Sequence, residues 1–203
     1  QAWSVTDCTA EGIKAALQMQ GRAAAPLSEE RILLAADLLI AEQNDDGGWS
    51  EYERARVGRW IEVLNAAEVF GEIMTGYSYP ECTSACVQGL CAVRDRYPGH
   101  RRAEVELGIA RGAAFLRGAQ RDDGSWYGGW GICFTYATWF GIEGLLAATG
   151  GGGEDRGRVA RAADFLVSKQ RPDGGWGESY LACVEKRWVE HERAQPVQDP
   201  EER

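Results

Sequence analysis

The spacing Gln-x-x-x-Gly-x-Trp occurs three times in this chain and restricts the possible folds more than any other feature. It anchors AADLLIAEQNDDGGW at 35–49, GAAFLRGAQRDDGSW at 112–126 and AADFLVSKQRPDGGW at 162–176. The fixed residues are Gln43, Gly47 and Trp49, then Gln120, Gly124 and Trp126, then Gln170, Gly174 and Trp176. Each copy is an amphipathic helical run, a polar turn and an indole. Such a unit cannot bury its apolar stripe alone, so neighbouring copies must stack. The Asp-Gly or Pro-Asp-Gly turn supplies positive φ through glycine at little steric cost. A glutamine amide can bond the exposed backbone at a neighbouring helix end while the indole packs over it, which makes these residues structural ties.

Further helical segments lie between the copies. Residues 7–20 place Ala10, Ile13 and Leu17 on one face. Asn65-Ala66-Ala67-Glu68 has the spacing of a capping box and predicts a helix start. Pro80 suits a first helical position ahead of 81–96. The spans 101–119, 132–149 and 158–169 continue the series, separated by Pro98-Gly99, the repeat turns and Gly150–Gly153. No convincing alternating strand appears, so the class is all-α, with helix pairs stacked side by side.

The 203 residues suffice for one sizeable core or two small ones. A net charge of −9 excludes nucleic acid as a natural partner, because phosphate binding needs a basic face. No apolar run reaches the length of a bilayer span. The chain opens on Gln, has no secretory leader pattern, and reads as a piece of a longer polypeptide. Cys8, Cys82, Cys86, Cys91, Cys133 and Cys183 form no C-x-x-C pair, and the only histidines are His100 and His191. That set predicts no metal site and a reducing compartment, with Cys82 and Cys86 as small core residues one turn apart. Residues 189–203, polar and acidic with Pro196 and Pro200, read as a poorly packed tail following a unit that ends at 188.

Near the start, Asp7-Cys8-Thr9-Ala10-Glu11 allows two readings. A buried aspartate beside a thiol can act as a Brønsted acid, with Glu11 one turn away to join a proton relay. On residue chemistry alone the plainer reading is an N-cap aspartate opening a helix, with Glu11 exposed.

DCTAE also resembles the acid motif of the oxidosqualene cyclases. ECTSA at 81–85, GGWGICFTYATWFG at 128–141 and KQRPDGGWGESY at 169–180 resemble the same family, and the three repeats resemble its QW repeats. The resemblance runs from Gln1 to about Trp188. It implies part of a catalytic α/α barrel of inner and outer helix rings, too short to close. It also implies cyclisation of (3S)-2,3-oxidosqualene to a tetracyclic sterol precursor without metal or organic cofactor. Asp7 would protonate the epoxide, Cys8 and Cys82 would hydrogen-bond that acid, and Glu11 would help return the proton through water. Trp130, Tyr52, Phe70 and Ile73 would line the substrate cavity, where aromatic faces stabilise a migrating cation without trapping it. Val5 and Gln1 match the pattern of lanosterol-forming members, whereas cycloartenol-forming members differ there. Whole enzymes of this kind sit on one leaflet of the endoplasmic reticulum or lipid droplet, through parts absent here.

Three other classes are set against this reading. A squalene–hopene-type cyclase protonates an alkene through an aspartate-rich motif, and Thr6-Asp7-Cys8-Thr9 is not one. Protein prenyltransferase β-subunits share the barrel but need a zinc set, which two histidines supply poorly. A non-catalytic helical-repeat scaffold requires only the repeats. Alone, the piece is expected to be inactive and prone to aggregate.

Overall fold

The computed structural model describes residues 4–54, 57–130, 132–150 and 153–191. Seven α-helices follow one another: α1 (Thr6–Met19), α2 (Glu29–Ala41), α3 (Pro80–Arg96), α4 (Arg102–Ala119), α5 (Thr135–Thr149), α6 (Arg156–Lys169) and α7 (Leu181–Glu185). Short 3₁₀ turns occupy Arg59–Leu64 and Gly153–Asp155. The described residues form no strand, only two isolated bridges, Gln170–Trp176 and Glu178–Glu190. The molecule is all-α, and no barrel closes among the described residues.

Helix α3 lies at the centre because its sequence is small on almost every side. Cys82, Thr83, Ser84, Ala85, Cys86 and Gly89 are all buried, and short side chains let flanking helix backbones approach closely. A Cβ on Gly89 would meet Ala10 of α1 at 3.1 Å, and Ser84 Oγ donates to the Phe140 carbonyl of α5 at 2.5 Å. Helices α1, α3 and α5 therefore pack in sequence as one layer, backed by α2, α4 and α6. Ile32, Ala36 and Leu39 of α2 share a core with Ala10, Ile13, Val87 and Leu90. Leu116 and Trp126 build a second with Ala137, Leu145 and Ala162.

The repeat turns bolt these layers together. Trp49 Nε1 donates to Leu39 O at 2.7 Å, Trp126 Nε1 to Leu116 O at 2.8 Å and Trp176 Nε1 to Leu166 O at 2.8 Å. Gln43 Nε2 donates to its own turn at Gly47 O (2.8 Å) and onward to Gly108 O of α4 (3.0 Å). Gln120 Nε2 does the same with Gly124 O (3.0 Å) and Arg158 O of α6 (2.9 Å). The backbone N–H of Trp49 reaches Thr83 Oγ1 on α3, and that of Trp126 reaches Thr138 Oγ1 on α5. The third copy stands apart: Gln170 bonds Gly174 O at 2.9 Å, and Trp176 is 44% exposed where Trp49 and Trp126 are fully buried. An ion pair adds a further brace, with Arg117 of α4 gripping the buried carboxylate of Asp155 through two 2.8 Å bonds.

Two sequence expectations fail. Residues 65–79 form no helix. Asn65 instead turns the chain, accepting from Ala67 N–H at 2.9 Å and donating to Phe70 O at 2.9 Å. The Glu62 carboxylate takes the backbone N–H groups of Glu72 (3.0 Å) and Met74 (2.8 Å), which a helix would have used internally. The six thiols are also not all reduced: Cys133 and Cys183 are disulfide-bonded, their Cα atoms 5.6 Å apart, within the span such a bond requires. Cys8, Cys82, Cys86 and Cys91 remain free. No described helix is long and apolar enough to cross a membrane. Residues 192–203, most of the expected tail, lie outside the described residues.

Candidate active site around Asp7

The first turn of α1 is pinned from outside the helix. Thr6 N–H donates to Glu51 O at 2.9 Å, and Thr6 Oγ1 donates to Ser50 O. Val5, extended at the N-cap and half-buried, accepts from Thr9 N–H at 2.9 Å and from Thr9 Oγ1 at 2.6 Å. This tether fixes Asp7 in the first turn of α1. Asp7 is half-buried, less enclosed than the acid reading supposed, and its Oδ1 accepts Cys8 N–H at 2.7 Å.

From there its charge reaches into α3. Burial first, and then Asp7, push the Cys82 thiol well above its usual range. Burial likewise raises the Cys86 thiol, with Thr6 opposing and Asp7 and Glu11 adding to the rise. Both thiols thus stay protonated and able to donate. Cys8 differs: it lies on the exposed side of the turn, its thiol held up chiefly by the Asp7 charge. Glu11 is exposed and ion-paired to Lys14 Nζ at 2.7 Å, which also donates to Gln88. Asp7 is thus felt electrostatically by Cys82, while Glu11 is engaged by Lys14 on the exposed side of α1.

The aromatic residues fall into two groups. Phe70 and Trp130 meet with ring centroids 5.8 Å apart, and Trp130 is 39% exposed, leaving indole surface free for contact. Tyr52 and Ile73 line a cleft of ≈ 290 Å³ with Glu51, Arg54, Met74 and Gly76. The Glu62 loop carries both Phe70 and Ile73. Burial tends to raise the Glu62 carboxyl, but the Met74 N–H and the Asn65 amide outweigh it and hold the group below its ordinary value. Gln1 lies outside the described residues.

Sequence reasoning missed several residues here. Glu81, buried in the first turn of α3, lies under the turn that presents Trp130: a Cβ on Gly128 would stand 1.9 Å from its Oε1, and one on Gly129 2.5 Å from the Tyr79 ring. Neither Glu81 oxygen completes a hydrogen bond. Burial raises the group to about 7, against the nearby N–H groups of Trp130 and Gly129. Tyr136 and Trp139, on the exposed face of α5, extend the aromatic surface around Phe140, at 4.9 and 4.6 Å between centroids. Burial and then the charges of Glu81 and Asp7 raise the Tyr136 hydroxyl. Glu178 caps α5 from a distance, accepting from Phe134 N–H (2.8 Å), Thr135 N–H (2.7 Å) and Thr135 Oγ1 (2.6 Å). The TYATWF string was an available signal for Tyr136 and Trp139; Glu81 and Glu178 lie within the ECTSA and KQRPDGGWGESY strings, but nothing in either string marks them as buried. No trio of metal-binding side chains gathers among the described residues.

Asp7, whose charge reaches the protonated thiols of Cys82 and Cys86, is a candidate proton donor, and the exposed rings of Trp130, Tyr136 and Trp139 are candidate faces for a cation. Comparison with known proteins points the same way. The chain is 52% identical over 197 residues to a cycloartenol synthase of Dictyostelium discoideum, covering 96% of this chain and 28% of that protein. It is 45% identical over 198 residues to the lanosterol synthase of Mus musculus, covering 95% and 27%. A lanosterol synthase of Aspergillus fumigatus is 46% identical over 200 residues, covering 98% and 26%. The chain therefore spans about a quarter of the length of the curated relatives it matches. The squalene-hopene cyclase C-terminal domain matches residues 5–200, which takes in Asp7, all three repeats and the Trp130 turn, and the chain belongs to that family.

Proposed function

We propose that this chain supplies the proton-donating end of an oxidosqualene cyclase, an isomerase that folds (3S)-2,3-oxidosqualene into a tetracyclic sterol precursor. The observation that carries the reading is Asp7 in the tethered first turn of α1, with its charge felt by the buried thiol of Cys82. In this scheme Asp7 gives its proton to the epoxide oxygen as the C–O bond breaks. Cys82 donates to the Asp7 carboxyl, and Cys8 assists from the outer side of the turn. Trp130, with Phe70 behind it, presents a π-face to the developing positive charge, and Tyr52 and Ile73 bound the adjoining space. Glu11 lies at the rim, where water could carry a proton inward.

The proposed product is lanosterol, following Val5, which sits directly ahead of the acid turn. The Dictyostelium relative bears the name of a cycloartenol synthase, which makes cycloartenol the second reading. The reaction as proposed uses no metal or organic cofactor, and the whole enzyme would take its lipid substrate from one membrane leaflet of the endoplasmic reticulum or a lipid droplet. The test is turnover of oxidosqualene by the full-length polypeptide, with products separated by mass spectrometry. Asp7→Asn should abolish cyclisation while the protein stays folded; retained cyclisation would remove Asp7 as the acid.

A further inference from the structure

The segment between the 3₁₀ turn at Arg59–Leu64 and α3 has no regular structure, yet it carries both Phe70 and Ile73. Irregular backbone must find partners for its N–H groups outside a helix ladder. One carboxylate supplies them here. Glu62 Oε1 accepts Met74 N–H at 2.8 Å, and its Oε2 accepts Glu72 N–H at 3.0 Å and the Asn65 amide at 3.2 Å. The same Asn65 amide donates to Phe70 O at 2.9 Å. Residues 70–74 are thus held from both ends by a single side chain and the amide bonded to it.

The hold matters because the loop adopts a shape that its residues do not favour. Glu72 lies at φ +58°, the left-handed region that a glutamate rarely occupies. Arg59 Nη1 reaches Glu72 Oε1 at 2.7 Å, but the arginine side chain is 69% exposed, and exposed ion pairs contribute little. The Tyr79 hydroxyl donates to Glu72 O. Only the bonds to Glu62 and Asn65 span the whole stretch. Phe70 precedes Glu72 by two positions, its ring centroid 5.8 Å from that of Trp130. Ile73 follows it and lines the ≈ 290 Å³ cleft with Tyr52. A change of backbone at Glu72 therefore moves both residues.

Resting on the cyclase reading, we propose that Glu62 is a positioning residue for the cyclisation, its carboxylate fixing the loop that sets the Phe70 ring against Trp130 and Ile73 at the cleft wall. Glu62 does not touch the substrate. It acts through Phe70, and so governs where along the cascade positive charge is best sheltered. The role needs a carboxylate. A glutamine amide turns one of the two acceptor oxygens into a donor facing a backbone N–H, and that bond is lost.

The full-length enzyme, Glu62→Gln, Phe70→Leu and the double variant are incubated with oxidosqualene in detergent micelles, and the products are separated by mass spectrometry. Losing one backbone bond should raise the share of incompletely cyclised products about fivefold, a larger change than the fall in substrate consumption. Phe70→Leu should shift the products the same way, and the double variant should add little to either single change. Asn65→Ala loosens the same loop and should shift the ratio in the same direction, which keeps the test open if Glu62→Gln fails to fold. A uniform loss of turnover at an unchanged product ratio would overturn the proposal, as would fully additive effects of Glu62→Gln and Phe70→Leu. Absence of any cyclised product from the unaltered enzyme would instead sink the cyclase reading itself.

Discussion

Gly124 and Gly174 occupy the same place in two copies of the repeat and have the same backbone, φ +89° and +85°, yet their surroundings differ. A Cβ on Gly124 would stand 2.5 Å from Arg161 O and 2.7 Å from its carbonyl carbon, whereas one on Gly174 would meet nothing within 4 Å. Alanine at either site carries the penalty of a left-handed residue, about 1–2 kcal/mol. Only at 124 must the backbone of α6 also retreat, by roughly 0.9 Å if the contact is to reach 3.4 Å. Overpacking against backbone adds about 1–3 kcal/mol. Gly124→Ala should therefore cost ~2–5 kcal/mol and Gly174→Ala ~1–2 kcal/mol. Pulse proteolysis of the full-length polypeptide that carries this segment, across a urea series, reads the difference. With a urea slope of about 2 kcal/mol/M, the Gly124→Ala midpoint should fall roughly 0.5–1.5 M below that of Gly174→Ala. Equal midpoints would show that turn conformation alone, not docking of the turn on the next outer helix, sets the value of the repeat.

Asp155→Ala should destabilise the chain by ~3–5 kcal/mol in the same assay, because it leaves the Arg117 guanidinium without the buried carboxylate that holds it at 2.8 Å. Glu81 makes stability depend on pH. Its folded-state value of about 7 exceeds that of an unfolded glutamate, so the folded chain holds the proton longer. The chain should therefore lose at most ~3 kcal/mol between about pH 5 and pH 8 from this group, and Glu81→Gln should flatten the decline. An unchanged pH dependence in the variant would show that Glu81 is not its source.

What could be read from the chain followed interaction range. Gln43, Trp49 and their counterparts were legible because each turn closes on itself within a few residues, and the acid turn was legible as a helix start. The 65–79 segment was misread because Asn65-Ala66-Ala67-Glu68 has the spacing of a helix cap, while the carboxylate that decides the matter, Glu62, lies upstream and takes the Glu72 and Met74 N–H groups. Cys133 and Cys183 are separated by 50 positions, and no spacing rule pairs such cysteines. Within the candidate site, Asp7 and Cys82 are singled out only through the resemblance of DCTAE and ECTSA, and their burial is not legible in either string. Nothing local marks Glu81 as buried either, since a lone glutamate is ordinarily a surface residue and only three-dimensional packing removes its partners.

The distant cap on α5 sets an order of events for a chain made from its amino end. Phe134 and Thr135 offer their N–H groups to a carboxylate 44 and 43 residues downstream. Until Glu178 has emerged from the ribosome, the Phe134 and Thr135 N–H groups lack that carboxylate. The opening turn of α5 should thus set late, after α1 and α3 have already met. A nascent piece that stops short of residue 178 would carry Asp7 and α3 but leave the opening of α5 without its distant cap.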